Sequence, residues 1–378
     1  MSTNGIAVVI PLYNGAQWIE ATLRSVLRQS RMPDEILVVD NNSTDGSPEL
    51  AASFPGVTLL SNPVQGGGAS RQMGIEKSRC EMIACLDQDD LWHPDHLRQM
   101  EELLNRHPDC SAVAASCLVF GAADGLSFPP LARGSDSYDP WEVFPSNHIA
   151  TPSCVVLRRS VIESGGGWPV DISFCSDHHA WLRLGIHAPL IQSRGVTVGY
   201  RRHSDSISRA ALAQKVSKSV RTIKMFVTDH EAALSRYLEA GRYSSERRAQ
   251  LTQRLVGLKA MAAFAIAVVE SDEAALRPPL LAFEDSLLSE NDAVVESSAD
   301  LAMWLLYWYL CDRRACLADL LAAWPRSAPR TRQAFRKKVA VSRILPRRLL
   351  REPLRPILWR VIWEQRRAVL AKLPIYRR

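Results

Sequence analysis

Ile83-Ala84-Cys85-Leu86-Asp87-Gln88-Asp89-Asp90-Leu91-Trp92 runs from four mostly apolar residues straight into three carboxylates within four positions. A short apolar run of this kind predicts a buried strand. Carboxylates packed so densely repel one another and add nothing to stability at the end of a strand. A divalent cation removes the conflict, because hard cations take oxygen ligands and Mg²⁺ commonly joins carboxylates to substrate phosphates. Asp87 and Asp89 stand two apart, and if the segment stays extended their side chains point the same way. The competing reading is an acidic loop that caps the next helix, with Asp90 or Asp95 as N-cap. The flanking chain has to decide between the two.

Working back towards the N-terminus, Ile6–Ile10 is a first apolar strand followed by the loop Pro11-Leu12-Tyr13-Asn14-Gly15. Residues 17–29 place Trp18, Ile19, Leu23, Val26 and Leu27 at helical spacing, and Met32-Pro33 breaks that helix. Glu35–Val39 is a second strand ending at Asp40-Asn41-Asn42-Ser43-Thr44-Asp45-Gly46. A short helix, the strand Val57–Leu60, the loop Gln65-Gly66-Gly67-Gly68-Ala69-Ser70-Arg71 and a helix near Ser70–Ser78 lead to the strand at 82–86. Strands alternating with helices predict a parallel, doubly wound α/β sheet. Ligands of such sheets bind outside the carboxyl ends of the strands, so the polar loops after strands one, two and four are expected to share one crevice. Asp40, Asn42, Ser43 and Asp45 supply donors and acceptors suited to a base and a ribose. Gly66–Gly68 lets backbone approach a ligand, and Arg71 adds a fixed charge. Each also has a plain structural reading: an Asx-turn, a flexible loop, a surface charge. No Walker A loop or GxGxxG fingerprint is present, which disfavours ATP and NAD.

Residues 5–100 resemble the first half of a family 2 glycosyltransferase of the GT-A fold. The resemblance rests on Val9-Ile10-Pro11-Leu12-Tyr13-Asn14, Ile36–Gly46, Gly66…Arg71-Gln72-Met73-Gly74-Ile75 and Leu86–Pro94. The family usually carries an acidic residue in place of Asn41 and Asn in place of Gln72. The resemblance implies a nucleotide-sugar donor held by Pro11, Tyr13, Asn14, Asp40, Asn42, Ser43, Gly66, Arg71 and Asp87, with Mg²⁺ or Mn²⁺ on Asp87 and Asp89.

Ala112–Phe120 is a further expected strand, and Gly121–Pro145 reads as a loop over the site. Ile149–Arg159, Gly165-Gly166-Gly167-Trp168 and Phe174–Gly185 resemble the second half of the same family. There an acidic residue opening a helix is the catalytic base. Asp177 is at the matching position, in Ser176-Asp177 where the family has Glu-Asp; a helix N-cap is the plain alternative, and His178 or His179 is a substitute base. Tyr200–Ser208 resembles the segment that closes the donor site, which implies roles for Arg202 and His203 at the diphosphate and brings Arg201 near. The resemblance implies an inverting, metal-dependent transferase acting on a glycan or lipid-linked acceptor. The alternatives are a nucleotidyltransferase, which would carry a Gly-rich basic loop after strand one, and a nucleotide-sugar-binding protein without turnover.

The expected organisation is a GT-A domain over 1–209, a mostly α-helical region over 210–325, and a basic amphipathic tail over 326–378. Helical spacing marks 212–240 and 246–270, and Leu301–Leu310 is a very apolar core helix. No run of 18 apolar residues and no secretory leader is seen. Eight scattered cysteines form no zinc pattern; Cys85, Cys117 and Cys154 read as buried free thiols, consistent with a cytoplasmic setting. The net charge of +6 hides an asymmetry. From Arg326 onward 17 Lys or Arg face two Glu, a net of +15, leaving −9 on the rest. A basic, Trp-bearing tail cut by prolines suits an anionic membrane surface, at the inner face of the membrane, better than nucleic acid.

Overall fold

In the computed structural model the described residues are 5–121, 137–142, 144, 145, 147, 149–170, 176–203, 216–239, 243–270 and 277–286. They divide into two compact units. The first runs to Glu142 and resumes from Ile149 to Arg202; the second holds Phe144–Asn147 and continues from His203.

The first unit begins with β1 (Ile6–Leu12), α1 (Ile19–Val26), β2 (Glu35–Asp40), α2 (Ser47–Ala52), β3 (Val57–Ser61), α3 (Gly67–Lys77) and β4 (Met82–Cys85). It continues with β5 (Leu91–Trp92), α4 (His96–Arg106), β6 (Ala112–Gly121), β7 (Ser137–Tyr138), β8 (Val155–Arg158), α5 (Arg159–Ser164), α6 (Ser176–His187) and β9 (Leu190–Arg202). Among the described residues nine strands form one sheet in the order β3-β2-β1-β4-β8-β6-β9-β5, with β7 on β9.

The expectation of a parallel, doubly wound sheet holds for β3-β2-β1-β4, whose neighbours all run parallel. Beyond β4 the sheet is mixed. β8 runs antiparallel to both β4 and β6, while β6 and β9 are parallel. The reason lies just before β8. The 3-10 turn Pro152–Cys154 sits at the carboxyl end of β4, so the chain leaves it running back along β4. Ala84 pairs with Val156 in that ladder, and continuing the register sets Ser153 opposite Asp87. The antiparallel strand therefore delivers hydroxyl side chains to the acidic end of β4.

β4 is buried along its length and β1 nearly so, as expected for strands covered on both faces. α3 lies close on β1: a Cβ added to Gly74 would fall 2.3 Å from Val9 Cγ1. Only glycine allows that approach, and it fixes the helix that carries Arg71. Cys85, Cys117 and Cys154 are buried free thiols, as read from the sequence, and burial pushes the Cys85 thiol up to about 12.

The second unit contains α7 (Val216–Glu239), α8 (Ser245–Glu270) and α9 (Arg277–Ser286), matching the helical spacing over 212–240 and 246–270. Ile223, Phe226, Leu234 and Tyr237 of α7, Leu251, Leu258, Met261 and Phe264 of α8 and Phe283 of α9 are buried. No helix of the described residues is long and apolar enough to cross a membrane. The apolar stretch 301–310 and the tail 326–378 lie outside the described residues, as does the segment around the expected boundary at 209.

Candidate active site

The loops after β1, β2 and β4 are tied to one another through named bonds. Asn14 N donates to Ser43 Oγ at 3.0 Å, and Thr44 N donates to Asn14 Oδ1 at 2.8 Å. Ala16 N donates to Asp45 Oδ2 at 2.8 Å. Asp40 Oδ1 accepts from Ser43 N at 3.1 Å, and Asp45 Oδ1 accepts from Ser47 N at 3.0 Å, the second of these an Asx-turn within the same loop. Asn14 and Asn42 take positive φ, +46° and +67°, a region Asn tolerates better than most residues. Gln88 clamps the loop after β1 from the acidic side: its Oε1 accepts from Tyr13 N at 2.8 Å and its Nε2 donates to Tyr13 O at 3.0 Å. Tyr13 is left 52% exposed beside these polar groups, a large aromatic face in water. Pro11 lies in β1 opposite Val39.

Asn41 explains how the glycine loop joins. It is buried, donates through Nδ2 to Asn62 O at 3.1 Å and Val64 O at 2.6 Å, and accepts from Gly66 N at 2.7 Å through Oδ1. An amide satisfies donors and acceptors at once, which a carboxylate cannot.

The acidic segment is a turn, not an extended strand: Asp90 N bonds back to Asp87 O at 3.2 Å. The same-side argument for Asp87 and Asp89 therefore does not apply, and three carboxylates separate by environment. Asp90 is fully buried, and its Oδ2 accepts from Ser153 Oγ at 2.6 Å and Thr151 Oγ1 at 3.0 Å. Its Oδ1 accepts from Arg201 N at 2.8 Å. It is a scaffold carboxyl and not an N-cap; burial, then Asp89 and Asp87, hold its pKa well above the ordinary carboxylate range. Asp95 holds the N-cap position of α4 without a side-chain cap bond. Asp87 and Asp89 are half-buried instead. Asp87 forms an ion pair with Arg71, receives Thr151 Oγ1 on its second oxygen at 3.3 Å, and has its N–H on Ser153 Oγ at 2.9 Å.

Arg71 is buried, with its guanidinium 5.2 Å from the Trp168 ring centre. Its Nε is buried with no hydrogen-bond partner among the described residues. A buried charged donor left open is costly unless a ligand completes it. Asp177 opens α6 as its second residue and shares the electrostatic neighbourhood of Arg71 and Asp87. Burial raises its carboxyl above the ordinary range; Arg71 pulls it back, and Asp87 adds to the rise.

Arg201 and Arg202 are the last residues of β9. Arg201 Nε donates to Asp89 O at 2.8 Å, and its guanidinium lies between Trp18 at 4.7 Å and Phe120 at 4.6 Å. Arg201 thus braces the acidic turn. Arg202 is exposed at the end of β9 and, among the described residues, hydrogen-bonds none of these groups; His203 belongs to the second unit. Gln88, Thr151 and Ser153 are the contributors that sequence reading passed over. Small hydroxyl and amide residues leave no periodic signal; only the strand register brings them here.

Among the described residues no group of three or more His, Cys, Asp or Glu is placed to hold a metal. Two carboxylates at a partly exposed turn fit a cation that completes its shell with phosphate oxygens and water, the usual habit of Mg²⁺.

A sheet of this topology, with hydrogen-bonded polar loops at the ends of β1, β2 and β4, is the GT-A fold. Residues 7–166 match the family described as glycosyl transferase family 2. The succinoglycan biosynthesis protein ExoO of Rhizobium meliloti is 38% identical over 100 residues, 26% of this chain and 29% of the relative. Three further curated relatives are spanned over 67%, 62% and 30% of their own length. Among solved structures, residues 1–349 of S. aureus TarS in complex with UDP-GlcNAc align with TM-score 0.54 at 14% identity, covering 89% of this chain and 92% of that one. The mannosyltransferase PcManGT of Pyrobaculum calidifontis in complex with GDP-Man and Mn²⁺ aligns with TM-score 0.50 at 19% identity, covering 92% and 89%.

Proposed function

We propose that the chain is an inverting glycosyltransferase that moves a sugar from a nucleoside-diphosphate donor to an acceptor hydroxyl in surface-glycan assembly. The observation that carries this is the buried Arg71 guanidinium, ion-paired to Asp87 yet open at Nε, within the electrostatic reach of Asp177. Such an arginine suits a donor phosphate or sugar oxygen. The nucleoside half of the donor lies against Pro11, Tyr13, Asn14, Asp40, Asn42 and Ser43, with backbone of Gly66 beside it. Arg202, exposed at the end of β9, is the further positive charge we assign to the diphosphate. Asp87 and Asp89 are the residues to hold Mg²⁺ or Mn²⁺, which when bound supplies positive charge to the leaving diphosphate. Asp177 takes the acceptor proton as the hydroxyl displaces the diphosphate from the sugar. The UDP-GlcNAc of the TarS structure, the GDP-Man of the PcManGT structure and the succinoglycan biosynthesis named for ExoO support the reading.

The test is a thermal-shift panel of UDP, GDP and dTDP sugars with and without Mn²⁺. At least one donor is expected to raise the melting temperature, and to raise it further with metal. Asp89→Ala should abolish the metal-dependent part while the unliganded melting temperature holds. No response to any donor would end the donor-site reading, and an unchanged metal effect in Asp89→Ala would remove that residue as a ligand.

A further inference from the structure

Gln72 follows Arg71 on α3, but its amide faces away from the acidic turn. Its Oε1 accepts from Trp168 N at 2.6 Å, and its Nε2 donates to Glu76 Oε1 at 2.6 Å. A Cβ on Gly167 would lie 2.6 Å from Gln72 Oε1, so the amide is packed flat on the turn. That turn needs glycine, since Gly166 and Gly167 have φ of +89° and +77°. It delivers the Trp168 indole, 1% exposed, between two functional elements. One face carries the Arg71 guanidinium. The indole Nε1 donates to Ser176 Oγ at 3.4 Å, on the residue before Asp177, and Trp181 of the same helix packs edge-on at 5.4 Å.

We propose that Gln72 and Trp168 are positioning residues for the transfer reaction. Gln72 locks the glycine turn, and Trp168 sets the separation between the Arg71 guanidinium and the Asp177 carboxylate. Neither touches the donor. The inference rests on the transferase reading and deepens it. The length of Gln72 matters to this contact: a side chain one methylene shorter, in the same backbone position, would fall short of Trp168 N. Placement of this kind matters because small displacements of reacting groups cost large factors in rate.

The experiment compares Trp168→Phe, Trp168→Leu and Gln72→Asn in the full chain, by steady-state transfer kinetics, by calorimetric binding of UDP and GDP, and by melting temperature. Phe keeps an aromatic face under Arg71 and loses the bond to Ser176. Trp168→Phe should therefore hold donor KM within about twofold while kcat falls. Trp168→Leu should lose roughly 10- to 100-fold in kcat/KM, with donor KM and nucleoside-diphosphate affinity both weakened. Gln72→Asn should follow Trp168→Leu with a smaller loss, and it covers the case in which the Leu variant fails to fold. Lower melting temperatures with kcat and KM within about twofold of wild type would make these residues mere packing and overturn the inference. Equal kinetic losses in the Phe and Leu variants would overturn the division of labour assigned to the ring and its N–H. A wild-type chain that neither binds a nucleoside diphosphate nor transfers sugar overturns the transferase reading, and this inference with it.

Discussion

Asp177 carries a burden that its neighbours make legible. Burial favours its protonated form, and the Arg71 charge only partly offsets this, so its pKa lies above the ordinary carboxylate value. A base must be ionised to act. The acid limb of kcat is therefore expected above pH 3.8, with rate falling as pH drops through the raised pKa. Asp177→Asn should remove that limb and lower turnover roughly 10²–10⁴-fold with near-normal donor binding. Turnover within a few-fold of wild type would move the role to His178 or His179. Residue type and order drew attention to Arg71, Asp87 and Asp89, and the family resemblance to Asp177. They did not separate Asp90 from its neighbours, because nothing in a run of carboxylates says which one turns inward. Hydroxyls from Thr151 and Ser153, more than 60 positions away, settle that.

At the scale of elements, α3 is the piece on which the site depends. It carries Arg71 and Gln72 at one level and Gly74 against β1 at the next. Gly74→Ala would drive a methyl into Val9, and overpacking of this sort typically costs about 1–3 kcal/mol. Urea denaturation should show a lower midpoint at unchanged slope, and kcat/KM should fall because the helix shifts with its arginine. Equal midpoints would mean that α3 relaxes freely and does not fix the site. Apolar runs and breakers placed β1, β2, β3, β4 and α1 to within a few residues. The two-residue β5 and the reversal at β8 were not foreseen. β5 is too short for periodicity, and strand direction is set by where the preceding turn docks, which no local pattern records.

For the whole molecule, the charge asymmetry remains the clearest partner signal. We propose that residues 326–378 bring the catalytic unit to an anionic membrane carrying a lipid-linked acceptor. Basic residues near such a surface contribute about 1 kcal/mol each, screened by salt. Trp359 and Trp363 should add a salt-insensitive share. The full chain should sediment with anionic vesicles, less so at high salt, and a chain ending near Trp324 should not. Equal sedimentation of the two, or salt-independent binding to neutral vesicles, would remove the electrostatic tail.

The sequence by itself determined the α/β order of the first hundred residues, the polar loops at successive strand ends and the acidic segment after β4. Alternating apolar runs and loop-forming residues are local properties, and a strand's carboxyl end follows from its direction alone. Only the tertiary structure decided that the sheet is mixed beyond β4, that Asp90 is scaffold, that Arg201 braces the acidic turn between Trp18 and Phe120, and that Gln72 grips Trp168 across 96 positions. Those outcomes depend on register and burial between distant segments. The free energy that fixes them belongs to contacts which exist only once the chain has folded.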